Sequence, residues 1–348
     1  MQSLQIAWHN HTNVSSDRSN ANLTFVVDEI IAKWSFESVF SLILAVTGAA
    51  TNGTVLLAFV IDRRLCTPFN CLVLHLIFLD LLQSLTQNPL TVAATLYNGR
   101  WVLGNRVCDF YLLTQALLNA AVINTHALIG LNRAWSILHC QSYRLRNSRR
   151  LALQLSAGLW LYIFTIYGPF WLLDAVFYRK PVTSVGCIIN SAALPVYSFL
   201  VTLIFFTFPV FAILAAFATV FVQKSVRRRR WARKKSAISP AVNLQGDVRA
   251  ETEAQIQRQK KRTRRYRILL FLTGSVTVCY LPRTVSVLIK YFAPDYWNPG
   301  VHRITGIVYV FQVVVDPVLF TLTLENVRSV VVRILRCRAV VAPQLGMN

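Results

Sequence analysis

The sequence predicts an all-α membrane protein: a seven-transmembrane helix bundle followed by a short amphipathic eighth helix. Three observations carry that prediction. Apolar residues make up 55% of the 348 and charged residues only 14%, too greasy a balance for a soluble domain. The apolar residues gather into seven runs, each long enough to cross a hydrocarbon core of about 30 Å. The net charge of +22 is segregated as well. Residues 223–267 hold sixteen Lys/Arg against three acids (Asp247, Glu251, Glu253), which is +13 of the total.

Residues 1–35 read as a polar extracellular tail. Asn10, Asn13 and Asn22 each head an Asn-x-Ser/Thr acceptor, and three in so short a stretch point to glycosylation. Asn52-Gly53-Thr54 fits the pattern too, but it lies inside an apolar run that glycosylation cannot reach. Residues 1–16 lack an apolar core, so no cleavable signal is expected and the first span directs insertion. Within residues 36–324 the spans are expected at Ser38–Ile61, Phe69–Leu96, Asp109–Leu138, Leu151–Leu173, Ile188–Val222, Ile268–Ile289 and Ile304–Leu324. An odd number of crossings puts the termini on opposite sides. With the tail outside, Asp62–Arg64, the Tyr143–Arg150 cluster, the third cytoplasmic loop (223–266) and the tail (325–348) all fall inside, as the positive-inside rule requires. The expected place is the plasma membrane, with the basic loops against anionic inner-leaflet lipid rather than nucleic acid. Cys66, Cys71, Cys140, Cys279 and Cys337 fall in membrane or cytosol, where thiols stay reduced.

Prolines punctuate the runs at Pro89, Pro169, Pro209, Pro282 and Pro317. Each would cost a soluble helix about 3 kcal/mol. In a bundle, neighbours re-satisfy the freed carbonyls and the kink becomes a hinge. After the last span, Val327, Val330, Val331 and Ile334 recur at i, i+3, i+4, i+7 among Arg328, Arg333 and Arg336, the pattern of a helix lying on the inner membrane face. Cys337 at its end is either a palmitoylation site or an inert thiol.

Those residues carry a resemblance. Gly48…Asn52-Gly53, Leu76-Ile77-Phe78-Leu79-Asp80, Trp101-Val102-Leu103-Gly104, Trp160, Pro209, Cys279-Tyr280-Leu281-Pro282 and Asp316-Pro317-Val318-Leu319-Phe320 follow in the order and spacing of the rhodopsin-like (class A) G-protein-coupled receptors. The resemblance covers all seven spans. It implies a disulfide from Cys108 to Cys187, both on the oxidising side. It implies coupling to a heterotrimeric G protein, and contacts with arrestin and a receptor kinase. It also implies an inner polar network of Asn52, Asp80, Asp316 and Gln312 able to take an allosteric sodium ion, with no other cofactor. Val122 and Val313 stand where relatives often supply polar ligands, so a purely structural hydrogen-bonding role for the two acids is equally open. Ionisable groups inside spans cost at least ~2.5 kcal/mol each unless compensated.

Arg133 sits in Asn132-Arg133-Ala134, where the family has Asp/Glu-Arg-Tyr, and is expected to meet the G protein when the sixth helix swings out about Pro282. Asn132 offers no carboxylate and Arg262 repels, which weakens the resting state. Phe217 and Phe320 replace tyrosines, with Asp316-Pro317 between, and that weakens the active one. The balance leans towards elevated basal signalling.

For the ligand, Gln115 and Asn119 share a face of the third span. Gln115 stands where amine receptors carry aspartate. Tyr280, Arg283, Val287 and Lys290 form a stripe on the sixth span, so the expected ligand presents an acidic group to Arg283, with Lys290, His302 and Arg303 as an electropositive vestibule. The bland alternative is that Arg283 pairs with backbone carbonyls and the outer cations snorkel. A peptide ligand fits the same site. An opsin reading fails because Val310 stands where a Schiff-base lysine belongs. A transporter is the rival class, but inverted repeats are absent. No enzyme is expected, since His75 and His126 are isolated and define no ligand set.

Overall fold

The computed structural model describes residues 32–97, 99–182, 186–237 and 266–341. Asn10, Asn13, Asn22 and the core of the basic loop lie outside those residues, as does the side chain of Cys337. Among the described residues six helices are long and apolar enough to span a membrane: Phe36–Ile61, Pro68–Leu96, Gly104–Leu138, Arg149–Tyr178, Pro195–Val226 and Pro299–Thr323. A bent pair, Tyr266–Cys279 and Leu281–Phe292, supplies the seventh and stands sixth in chain order. Its halves meet at 42° just before Pro282.

The helix starts follow local chemistry. Ser35, Thr67 and Ser148 cap the first, second and fourth spans by accepting from the backbone N–H three residues on. Asn298 accepts from Gly300 N–H and Val301 N–H with Pro299 at the first helical position, so the seventh span begins before the expected Ile304. The fifth starts at Pro195 rather than Ile188, because Asn190 is drawn into the connection before it, its N–H donating to Asp174.

Two prolines share a device. A widened π turn at Gln83–Gln87 ends two residues before Pro89, and another at Leu203–Thr207 ends two residues before Pro209. The extra residue per turn absorbs the missing N–H and the ring's clash with the preceding turn. The seventh span breaks at Phe311, ahead of Pro317.

The third span is the axis. Of its most apolar window 72% is buried, against 28% in the fourth, whose Leu161, Phe164 and Leu172 face outward. Close approach sets the other packing. A methyl group on Gly48 would collide with the Ser84 hydroxyl, so glycine lets the first and second spans touch. Beyond the seventh span, Glu325–Val341 forms the eighth helix, with Val327, Val330 and Val331 buried and Arg328, Arg333 and Arg336 exposed. That is the expected amphipathic pattern.

At one end of the bundle Cys108 and Cys187 are bonded, with Cα atoms 5.6 Å apart. Two further ties hold the same loop. Arg179 donates to Asp174 at 2.8 Å and reaches Asp109 on the third span. Gly186, at φ +75°, lies so close to the Gly99 carbonyl that no side chain would fit.

Candidate functional site

Polar side chains form four layers along the third span, from the disulfide end to Arg133. In the outermost, Arg283 donates through Nη1 to the His302 carbonyl at 2.6 Å, the backbone pairing left open by the sequence. His302 is buried, with Nδ1 2.9 Å from the Ser286 hydroxyl and its ring edge-on to Trp297. The Lys290 ammonium lies 5.2 Å from the Trp297 ring centre. Arg283, Lys290 and His302 are therefore brought together, with Val287 half-buried on the same helix. Arg303 is not part of the group. It is exposed at the rim and pairs with Glu37 of the first span at 3.3 Å.

The second layer is a carboxamide floor. Gln83 Nε2 donates to Asn119 Oδ1 at 2.9 Å and to Gln87 Oε1 at 3.3 Å, and the Tyr309 hydroxyl reaches Asn119 Oδ1 at 3.4 Å. With Asn88 and Tyr280 these side chains enclose a cavity of about 10 Å³, room for about one water. Gln115 donates to the Tyr111 hydroxyl at 3.1 Å, and Asn119 Nδ2 donates to the Gln115 carbonyl at 2.6 Å. Gln83, Gln87, Asn88 and Tyr309 were not singled out from the sequence. The available signal was polar residues recurring from Asp80 through Gln83, Ser84 and Gln87 on one helical face.

The third layer holds Asp80 and Asp316, both fully buried and neighbours through their carboxylates. Asn52 donates to the Gly48 and Val313 carbonyls at 3.0 and 2.9 Å, tying the first span to the seventh. Gln312 Nε2 donates to Asp316 Oδ1 at 2.6 Å. The expectation that His126 is isolated is wrong. It is fully buried, and its Nε2 lies 3.0 Å from Asp316 Oδ2, at ion-pair distance though not lined up as a hydrogen bond. The reason is tertiary, since the third and seventh spans meet here. His75 is a packed histidine, 3.2 Å from Thr125 and accepting from Trp160 at 3.1 Å.

Among the described residues both oxygens of Asp80, Asn52 Oδ1 and Gln312 Oε1 have no donor. Buried acceptors of this kind call for a partner, and oxygens with carboxylate charge are the donor set of a small hard cation. Those oxygens suit a sodium ion in kind, but buried Val122 and Val313 add nothing to the set and His126 Nε2 stands 3.0 Å from Asp316 Oδ2.

In the fourth layer Arg133 is buried but well supplied. Its Nη2 donates to Asn132 Oδ1 at 3.0 Å and to the Tyr143 hydroxyl at 2.9 Å, and Tyr143 donates on to Asn132 at 3.2 Å. The guanidinium carbon sits 3.2 Å above the Phe69 ring centre. No carboxylate takes part in this cluster. Neutral oxygens and an aromatic face hold it instead. Arg262 lies outside the described residues. Phe217 stacks on Tyr266, and Phe320 is fully buried.

Residues 51–320 match the profile of the 7 transmembrane receptor (rhodopsin family). The chain is 31% identical to the 5-hydroxytryptamine receptor 1B of Cavia porcellus over 46% of its own length and 42% of the relative's. To the human 5-hydroxytryptamine receptor 1B it is 27% identical over 63% of its length and 56% of the relative's. To the melanopsin of Rutilus rutilus it is 35% identical over 35% and 24%. The matched stretch thus spans about half, or less, of those relatives.

Proposed function

From a chain that belongs to the rhodopsin family of seven-transmembrane receptors, we propose a plasma-membrane receptor that activates a heterotrimeric G protein. An extracellular ligand binds in the half of the bundle beneath the disulfide, and the lower half of the sixth span moves outward. Residues 1–35 lie outside the cell, and the basic loop 223–266 lies inside against anionic lipid. Arrestin and a receptor kinase are further partners on family resemblance.

The observation that carries this reading is the 42° break before Pro282. It separates the outer half of the sixth span, which bears Arg283, from the inner half packed near Arg133. Tyr280 lies at the joint, its ring 4.9 Å from Tyr309 on the seventh span and 5.6 Å from His126 on the third. A ligand that favours one angle at the joint shifts the population at the far end. Outward movement there frees the Arg133 end for the G protein. Asn52, Asp80, Asp316 and Gln312 form the inner polar network that ties the first, second and seventh spans together on the inner side of the joint.

The ligand carries an acidic group that replaces the His302 carbonyl on Arg283. Relatives named for 5-hydroxytryptamine have an amine to accommodate, but Gln115 offers no anion to one here. Acidic metabolites and short peptides, screened against a promiscuous G-protein readout, supply the probe. With a hit in hand, Arg283→Gln is expected to weaken binding at least about tenfold, the worth of a charge-assisted hydrogen bond. Unchanged affinity would rule out the acidic contact, and no nucleotide exchange with any G protein would rule out the receptor mechanism.

A further inference from the structure

The inner polar layer has an occupant the family pattern does not require. We propose that His126 takes the face of Asp316 that a sodium ion would need, so that this receptor's inner network is closed by its own imidazole and does not respond to sodium. The residue acts as an internal competitor, and removing it uncovers an ion site.

Geometry carries the case. A carboxylate holds an inner ion through an oxygen the ion can approach, and both oxygens of Asp316 have a nitrogen in that space. Its Oδ1 accepts from Gln312 at 2.6 Å, and its Oδ2 faces His126 Nε2 at 3.0 Å. All three side chains are buried to within 2% of complete. The imidazole is also kept from swinging away by the Tyr280 ring, edge-on at 5.6 Å. On the third span the residue one turn nearer the disulfide is Val122, which brings no oxygen of its own. Besides Asp316 Oδ2, whose open side His126 fills, the oxygens of this layer without a donor are two on Asp80 and one each on Asn52 and Gln312, on the first, second and seventh spans. An ion drawn to them therefore lacks the Asp316 contact and any ligand from the third span. Two carboxylates face each other here, and the protein's own nitrogen donors stand where the compensating cation would.

Purified full-length receptor without ligand or G protein tests this independently of the signalling reading. Thermal unfolding is compared in sodium chloride and choline chloride at equal ionic strength. The wild-type midpoint is expected to be the same in both salts. His126→Leu is expected to melt higher in sodium by a few degrees, because an ion that binds only the folded state stabilises it by mass action. Adding Asp316→Asn to that variant should abolish the difference. A sodium-dependent shift in the wild type equal to that of His126→Leu would overturn the proposal. So would a cooperatively melting His126→Leu receptor with no shift. If His126→Leu does not fold, His126→Ser takes its place, and ²³Na line broadening on the wild type gives a second readout. Specific broadening there would overturn the proposal by itself.

Discussion

Arg133 and His126 lie seven residues apart on the third span, two turns along one helical face, and both are buried. Around Arg133 a single charge meets two neutral oxygens and an aromatic ring. Around His126 two carboxylates crowd together, and among the described residues five oxygens of Asn52, Asp80, Gln312 and Asp316 have no hydrogen-bond donor. The same helix, at similar burial, thus carries one satisfied polar site and one under-supplied site. Conformational hold belongs to the first, which keeps its arrangement without help. Sensitivity belongs to the second, where an added ion, a moved side chain or a lost charge changes the balance most. Substitutions at each site should therefore act in opposite directions.

The largest effect is expected at Phe69. Phe69→Ala removes core volume as well as the ring under the guanidinium, and buried Phe→Ala changes cost about 3–5 kcal/mol. Phe69→Leu keeps the apolar bulk and loses only the π face, worth about 2 kcal/mol when desolvated. Thermal unfolding should rank wild type above Leu and Leu above Ala. A Leu variant as stable as wild type would show that the ring merely fills space.

Tyr143→Phe comes next. The hydroxyl accepts from Arg133 and donates to Asn132, and hydrogen bonds to a charged group contribute about 1.5–3 kcal/mol. Its loss should release Arg133 and raise basal nucleotide exchange roughly tenfold. Combined with Asn132→Ala, the effects should fall short of additive by about 0.5 kcal/mol or more, since both residues serve one cation. Strict additivity would mean that Tyr143 and Asn132 act separately and the cluster is not a unit.

The sequence shows one of these sites better than the other, for a physical reason. The seven spans and the eighth helix rest on local patterns of apolar run and period, which need no tertiary knowledge, whereas the Asn298 cap that starts the seventh span at Pro299 was not read from them. The inner acids stood out because charge inside an apolar run is rare. Their partner did not, because His126 and Asp316 are far apart in the chain and meet only when the third and seventh spans pack. Tyr143 was hidden differently, sitting among arginines that read as a solvated basic loop. The tie of Arg179 to Asp174 and Asp109 was missed as well, since nothing local says which acids a loop arginine will reach. The carboxamide floor was half visible: Asn119 was flagged, but Gln83 and Gln87 pass for ordinary polar residues until the third span lies against them.

The smallest effect tests the under-supplied site directly. In Asp80 both carboxylate oxygens are buried without a donor and face the Asp316 carboxylate. Asp80→Asn keeps the shape and turns one of those oxygens into an N–H donor aimed at an acid. An unsatisfied buried acceptor costs about 1–3 kcal/mol. Because Gln312 and His126 already engage Asp316, a gain near the lower end is expected, about 1 kcal/mol. The substitution should therefore raise the unfolding midpoint, where the Phe69 and Tyr143 changes do not. Measuring in choline chloride matters, since an ion bound between the acids would already have removed the deficit that the amide repairs. A midpoint below that of wild type would mean that Asp80 is well supplied in the folded protein, and the contrast between the two sites on the third span would collapse.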